Sequence, residues 1–198
     1  MSKNPVVHWP VLLLLPLILM LMLLVTGCAT PAPETPPPAA ADPLSMSNPR
    51  AEFTVTLQES TPPPLHIGQP VTFDLNSSAD SYLNLYAIGT SGNTTQLLTN
   101  YPVRANEAVS FPPMTSKRFN YLPEPPPGKE AFILVATRQP LRLMGRNDLK
   151  ETRKPRTPVA ALKLSGPQLL ERLREALNRR APGQWNAASL QLPLAGPH

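Results

Sequence analysis

The run Ala131-Phe132-Ile133-Leu134-Val135-Ala136-Thr137 decides the fold class. It is the most apolar stretch outside the N-terminal segment. It has strand length, and it follows a proline-rich loop at 123–127 and Gly128. Working outward, Tyr82-Leu83-Asn84-Leu85-Tyr86-Ala87-Ile88 is apolar on both faces and reads as a central strand. Turn chemistry at 89–93 lets residues 94–98 pair back as a hairpin, and 108–111 is a further short strand. Val71, Phe73 and Leu75 alternate with polar neighbours, as do Phe53, Val55 and Leu57, the period of half-buried strands. Between those two lies a connector at 61–70 with Pro62, Pro63, Pro64, Gly68 and Pro70. The chain holds 28 prolines in 198 residues, against an average near 5%. Proline removes a backbone donor and breaks helix interiors, so a helical bundle is excluded for most of the length. Short strands with Pro/Gly connections predict a mainly β chain: a single small antiparallel β-sandwich over 51–140 with one C-terminal amphipathic helix.

The last third differs in charge. Residues 138–198 carry 12 Arg or Lys and 4 Asp or Glu, while residues 28–137 carry 5 and 9. The net charge of +5 therefore conceals a dipolar chain. Arg142, Arg146, Lys150, Arg153, Lys154 and Arg156, preceded by Arg138, follow one another with little apolar periodicity. The bland reading is a solvated loop. The functional one is a basic surface for anionic lipid headgroups, lipopolysaccharide phosphates or an acidic protein face. Beyond it, Leu169, Leu170, Leu173, Ala176 and Leu177 recur at helical spacing, which predicts a helix over 167–180. Ser165 and Pro167 mark its start, and Ala181-Pro182-Gly183 its end. Its apolar face is expected to pack on the sandwich within a basic C-terminal extension, 141–198. Residues 185–194 add a last strand or cover an edge.

The N-terminal segment gives the single cysteine its meaning. One cysteine excludes an internal disulfide framework and cysteine-cluster metal sites. Lys3 is the only charge in the first 28 residues, and 11–25 is apolar apart from Pro16, a secretory signal pattern. It ends Leu24-Val25-Thr26-Gly27-Cys28-Ala29. This resembles the lipobox of bacterial lipoproteins. The resemblance implies signal-peptidase recognition at Leu24, Val25, Thr26 and Gly27, with 1–27 removed. It also implies a covalent lipid on Cys28 and acylation of the new terminus. Several acyl chains anchor stably where one does not. Ala29, where Asp would mark inner-membrane retention, implies a periplasm-facing outer-membrane location. Residues 28–50 then form a proline-rich tether, too poor in large apolar groups to order itself. Its polyproline-like rise of about 3.1 Å per residue spans roughly 70 Å when extended.

A second resemblance rests on a series of turns and core positions. They are Gly68-Gln69-Pro70, Val71-Thr72-Phe73, Tyr82-Leu83, Leu97-Leu98-Thr99-Asn100-Tyr101-Pro102 and Pro126-Pro127-Gly128-Lys129-Glu130, running into Ala136-Thr137. Residues 51–140 are similar to a bacterial β-sandwich domain of unknown function. That domain occurs in envelope lipoproteins and appended to Ser/Thr kinases and caspase-like peptidases. The usual aromatic-Pro-Asn step is replaced here by Thr99-Asn100-Tyr101-Pro102. The resemblance implies a binding or accessory module and carries over no catalytic residue.

The residues themselves offer no catalytic set. Past the signal segment the histidines are His66, in the proline-rich connector, and the terminal His198. There is no nucleophile elbow, no His-Glu-x-x-His spacing and no glycine-rich phosphate loop. Asp74 and Asp80 flank strand and turn positions where acids are ordinary. Tyr82, Tyr86, Tyr101 and Tyr121 suit packing better than a binding surface. The expectation is a non-catalytic module of an envelope assembly, a secretion system among the candidates. Expected with it are no metal, no cofactor beyond the lipid on Cys28 and no nucleic acid, and the sequence identifies no small-molecule substrate. Its partners are then the membrane and an envelope protein. A periplasmic immunity protein against a delivered toxin, and a hydrolase with an unrecognised site, are the alternatives.

Overall fold

The computed structural model describes residues 46–113, 120–150 and 159–197. The described residues all belong to one compact unit. Among them nine strands form in chain order: β1 Val55–Glu59, β2 Leu65–His66, β3 Phe73–Ser77, β4 Ser81–Ile88, β5 Thr94–Val103, β6 Val109–Phe111, β7 Gly128–Thr137, β8 Ala160–Ala161 and β9 Trp185–Ala195. A 3-10 turn at Arg146–Asp148 and one helix, α1 (Gly166–Arg180), complete the described set. A three-stranded sheet, β1-β3-β6, faces a six-stranded sheet, β2-β9-β7-β4-β5-β8. The fold is mainly β, with two sheets arranged as a sandwich and a single helix among the described residues. The ladders are antiparallel except β2 with β9, which run parallel over Leu65↔Leu194 and His66↔Ala195.

Why the two most apolar runs lie at the centre follows from parity. Side chains alternate across a strand, so a strand apolar at every position needs cover on both sides. On β7, Phe132, Leu134 and Ala136 point into the core between the sheets, with Leu83, Leu85 and Ala87 of β4. Leu57, Phe73, Leu75 and Phe111 of the small sheet close that core. Phe73 stacks with Phe132 at a ring separation of 4.5 Å and with Phe111 at 6.2 Å. The alternate set, Ala131, Ile133 and Val135 with Tyr86 and Ile88, faces the other way. There it is covered by Leu169, Leu170, Leu173, Ala176 and Leu177 of α1 and by Leu143 and Met144. The fold thus has three layers and two cores sharing one sheet.

The sheet does not stop at residue 140. The sandwich expected over 51–140 takes an interior strand from the C-terminal part: β9 pairs with β7 along its whole length, Gly128↔Leu194 to Thr137↔Trp185. The reason is that β7 is buried on both faces and must pair on both edges. An exposed apolar edge would template association. β4 takes one edge and β9 the other. The 61–70 connector contains β2, held to two residues by the prolines before it. β5 runs beyond the expected 94–98 to Val103 through an irregular register near Leu83 and Leu85. There Asn100 is left-handed (φ 47°), its N–H donates to Asn84 Oδ1 (3.1 Å) and its Oδ1 accepts from the Leu141 N–H (3.0 Å). Buried Asn84 is thereby satisfied, and the chain leaving β7 is tied to the sheet.

The helix begins one residue earlier than 167. Ser165 caps it, its N–H donating to Gln168 Oε1 (2.9 Å), and Pro167 sits in the first turn where no amide is required. Gly166 lies so close to Ile88 that a Cβ there would stand 2.9 Å from Ile88 Cγ2. This contact sets how tightly α1 seats on the sheet. Among the described residues, no helix is long and apolar enough to cross a membrane.

Candidate functional site

The residues expected to carry chemistry fall in three places. Leu24, Val25, Thr26, Gly27 and Cys28 lie outside the described residues, as do Arg153, Lys154, Arg156 and His198. Arg142, Arg146 and Lys150 are described and exposed, on the segment between β7 and β8. His66 places Nδ1 3.1 Å from the Gly196 carbonyl, Asp74 accepts from Ser110 Oγ, and Asp80 accepts from the Ala105 N–H.

The segment bearing Arg142 is clamped against α1, and the clamp gathers arginines. Arg180 Nη1 donates to the Arg142 carbonyl (3.0 Å). Arg172 pairs with Asp148 (3.3 Å) and Arg179 with Glu175 (3.0 Å). Asp148 is held in turn by the Gly145 N–H (2.8 Å). The result is a groove of about 160 Å³ lined by Arg142, Arg172, Arg179 and Arg180, with Asp148 and Glu175 as its carboxylates. Exposed pairs of this kind contribute at most about 1 kcal/mol each. Their effect is mainly to orient guanidinium groups along one face. A neighbouring cavity shares Arg142 and Gly145 and adds Arg146. Sequence separates Arg142 from Arg179 by most of a helix and β8; only the docking of α1 brings them together.

A second cavity, also about 160 Å³, opens where the β4–β5 turn meets the loop before β7. Gly89, Ser91 and Asn93 line it from the turn, Tyr121 and Glu124 from the loop, Lys150 from beyond the 3-10 turn, and Glu130 from β7. Glu130 has the parity of Phe132 and Leu134, so it points inward and is 1% exposed. Its Oε1 accepts the Tyr121 hydroxyl (3.2 Å), while Oε2 is buried without a hydrogen-bond partner among the described residues. Burial raises the Glu130 carboxyl to about 7, against the pull of the Tyr121 hydrogen bond and with a smaller push from Glu124. The Tyr121 phenol is raised above its ordinary value, first by burial and then by the Glu130 and Glu124 charges. Its ring meets Phe132 edge-on at 5.8 Å, which fixes the phenol over the carboxyl.

A DUF4384 domain, a domain of unknown function, occupies residues 65–140. The DUF4384 segment covers β2 to β7 and ends just past β7. It includes Tyr121, Glu124 and Glu130, and leaves outside it β1, β8, β9 and α1, the helix of the arginine groove. No curated protein and no solved structure matches the chain.

In sequence, Glu130 reads only as the end of a Pro-Pro-Gly-Lys-Glu turn. The signal that singles it out is parity: counted back from Phe132, it occupies a core position where leucine would continue the pattern. Tyr121 cannot be found that way. It reaches Glu130 from an irregular loop.

Proposed function

We propose that this chain is a lipid-anchored, non-catalytic binding module of the bacterial outer membrane, docking an acidic face of another envelope protein through its arginine groove. The observation that carries the docking surface is the convergence of Arg142, Arg172, Arg179 and Arg180 from two chain segments on one groove. Guanidinium forks favour carboxylate-rich partners, because two parallel N–H bonds match each carboxylate. The exposed cations Arg146 and Lys150 extend the same charge along the segment. Anchoring rests on the Leu24-Val25-Thr26-Gly27-Cys28 sequence, with the residues before Met46 as spacer; the expected tether stops short of residue 50, because Met46 and Asn48 are buried on the folded unit and Asn48 Nδ2 donates to the Trp185 carbonyl.

The test is crosslinking from native membranes. One envelope protein is expected to be captured by the wild-type chain, at a yield that falls with ionic strength. Its capture should drop at least tenfold when Arg142 and Arg179 are both changed to Glu. A capture insensitive to salt and to the double change would overturn the docking surface. Separately, Cys28→Ala is expected to abolish lipid attachment and signal cleavage, leaving a precursor held by its apolar 11–25 segment at the inner membrane; unchanged processing and an unchanged outer-membrane fraction would sink the anchor.

A further inference from the structure

The cavity beside β7 contains a group that the fold itself does not use. Glu130 occupies an inward position on a strand whose other inward residues are Phe132, Leu134 and Ala136. Its Oε1 is satisfied by Tyr121. Its Oε2 is buried, lacks a hydrogen-bond partner among the described residues, and belongs to a side chain lining the cavity. A buried carboxylate oxygen left unpaired costs free energy that an apolar side chain would not. The oxygen is therefore an acceptor without a donor among the described residues, and the cavity that Glu130 lines is where a donor can enter. Glu124 lines the same cavity, so among the described residues that line it two carboxylates stand against one ammonium, that of Lys150. Across the ladder from Glu130 is Leu192, and the turn contributes the neutral Ser91 and Asn93, so no further charge faces Glu130 from β9 or the turn.

We propose that this cavity binds a primary ammonium group, Glu130 Oε2 accepting one of its N–H bonds and Glu124 supplying the second negative charge. An ammonium is favoured over a polyol because it answers the excess carboxylate charge as well as the missing donor. It is favoured over a divalent ion because, among the described residues, no group of three or more His, Cys, Asp or Glu side chains is gathered to hold one. A volume of about 160 Å³ admits the end of an aminoalkyl chain. Such a group could belong to a lysine-like side chain or to an ethanolamine headgroup.

The experiment is an NMR titration of the full-length chain in detergent with cadaverine, ethanolamine and, as neutral control, n-butanol. The amines are expected to shift the Gly89, Ser91 and Thr95 amides, and butanol to leave them in place. Because Glu130 titrates near 7, binding should be about tenfold tighter at pH 8 than at pH 6. Glu130→Gln should weaken it at least tenfold. Glu124→Gln, at an exposed loop position, should weaken it several-fold, and it keeps the test decisive if the first variant alters the fold. Tighter cadaverine binding assigns the lysine-like source, and ethanolamine binding as tight or tighter assigns the headgroup. No amide shift with either amine, equal shifts with butanol, or undiminished binding in Glu124→Gln would overturn the proposal.

Discussion

At the scale of single residues, Glu130 makes stability depend on pH in an unusual direction. Its folded value, about 7, lies above the reference of 4.5, so between those pH values the folded chain holds a proton the unfolded chain has lost. The contribution of Glu130 to stability is full below about 4.5, falls between there and about 7, and then levels off. Glu130→Gln keeps an acceptor for the Tyr121 hydroxyl and removes the titration. The variant is expected to match the wild type at about pH 4.5 and to exceed it by up to about 3 kcal/mol at pH 8, with urea unfolding at both pH values as the measurement. Gly166 shows steric control of a different kind. Alanine is a better helix former than glycine by about 1 kcal/mol, yet its Cβ would stand 2.9 Å from the branched Ile88. Gly166→Ala is expected to lower stability by about 1–2 kcal/mol, and an unchanged or higher Tm would show that Ile88 gives way.

At the scale of elements, β7 is the strand on which the rest depends. Phe132 contacts Phe73 and Tyr121, and Phe132→Ala should cost about 3–5 kcal/mol in chemical denaturation. β9 supplies one whole edge of that strand. A chain ending at Gly183 is expected to lose its cooperative unfolding transition; a sharp transition in that truncation would mean that β7 can stand at an edge. The helix contributes differently. Leu173 is fully buried against the sheet, and Leu173→Ala should cost about 2–5 kcal/mol and also loosen the arginine groove, since the groove exists only while α1 is seated. Weakened salt-sensitive capture in this variant, with its arginines intact, is the accompanying expectation.

For the whole molecule, the proposed activity combines an anchor, a spacer and two chemically opposite sites. The arginine groove lies against α1, whereas the Glu130 cavity lies at the β4–β5 turn, with Lys150 bordering the latter. Charge reversal in the groove should therefore leave amine binding at Glu130 within about twofold of wild type, the two sites having no lining residue in common. Titration of the Arg142/Arg179 double variant with cadaverine measures this directly.

Much of the fold is legible in local pattern. Alternation at Phe73 and Leu75, apolar runs at 82–88 and 131–137, and 3.6-residue spacing from Leu169 to Leu177 each specify an element, because burial of one or both faces imposes its own period on the sequence. The place of β9 is not legible. Residues 185–195 alternate only partly, and which edge they join depends on β7 having a free one. The basic segment is visible as charge, but its neighbours Arg172, Arg179 and Arg180 read as the solvated side of a helix until α1 docks. Glu130 resembles an ordinary turn acid for the same reason: nothing in a linear pattern shows that Tyr121 will satisfy one carboxylate oxygen and leave the other bare. Period, length and polarity of the elements are written in the chain, since these follow from neighbours a few residues apart. Tertiary structure alone decided which edges pair and which charges converge, since those depend on residues brought together from distant parts of the chain.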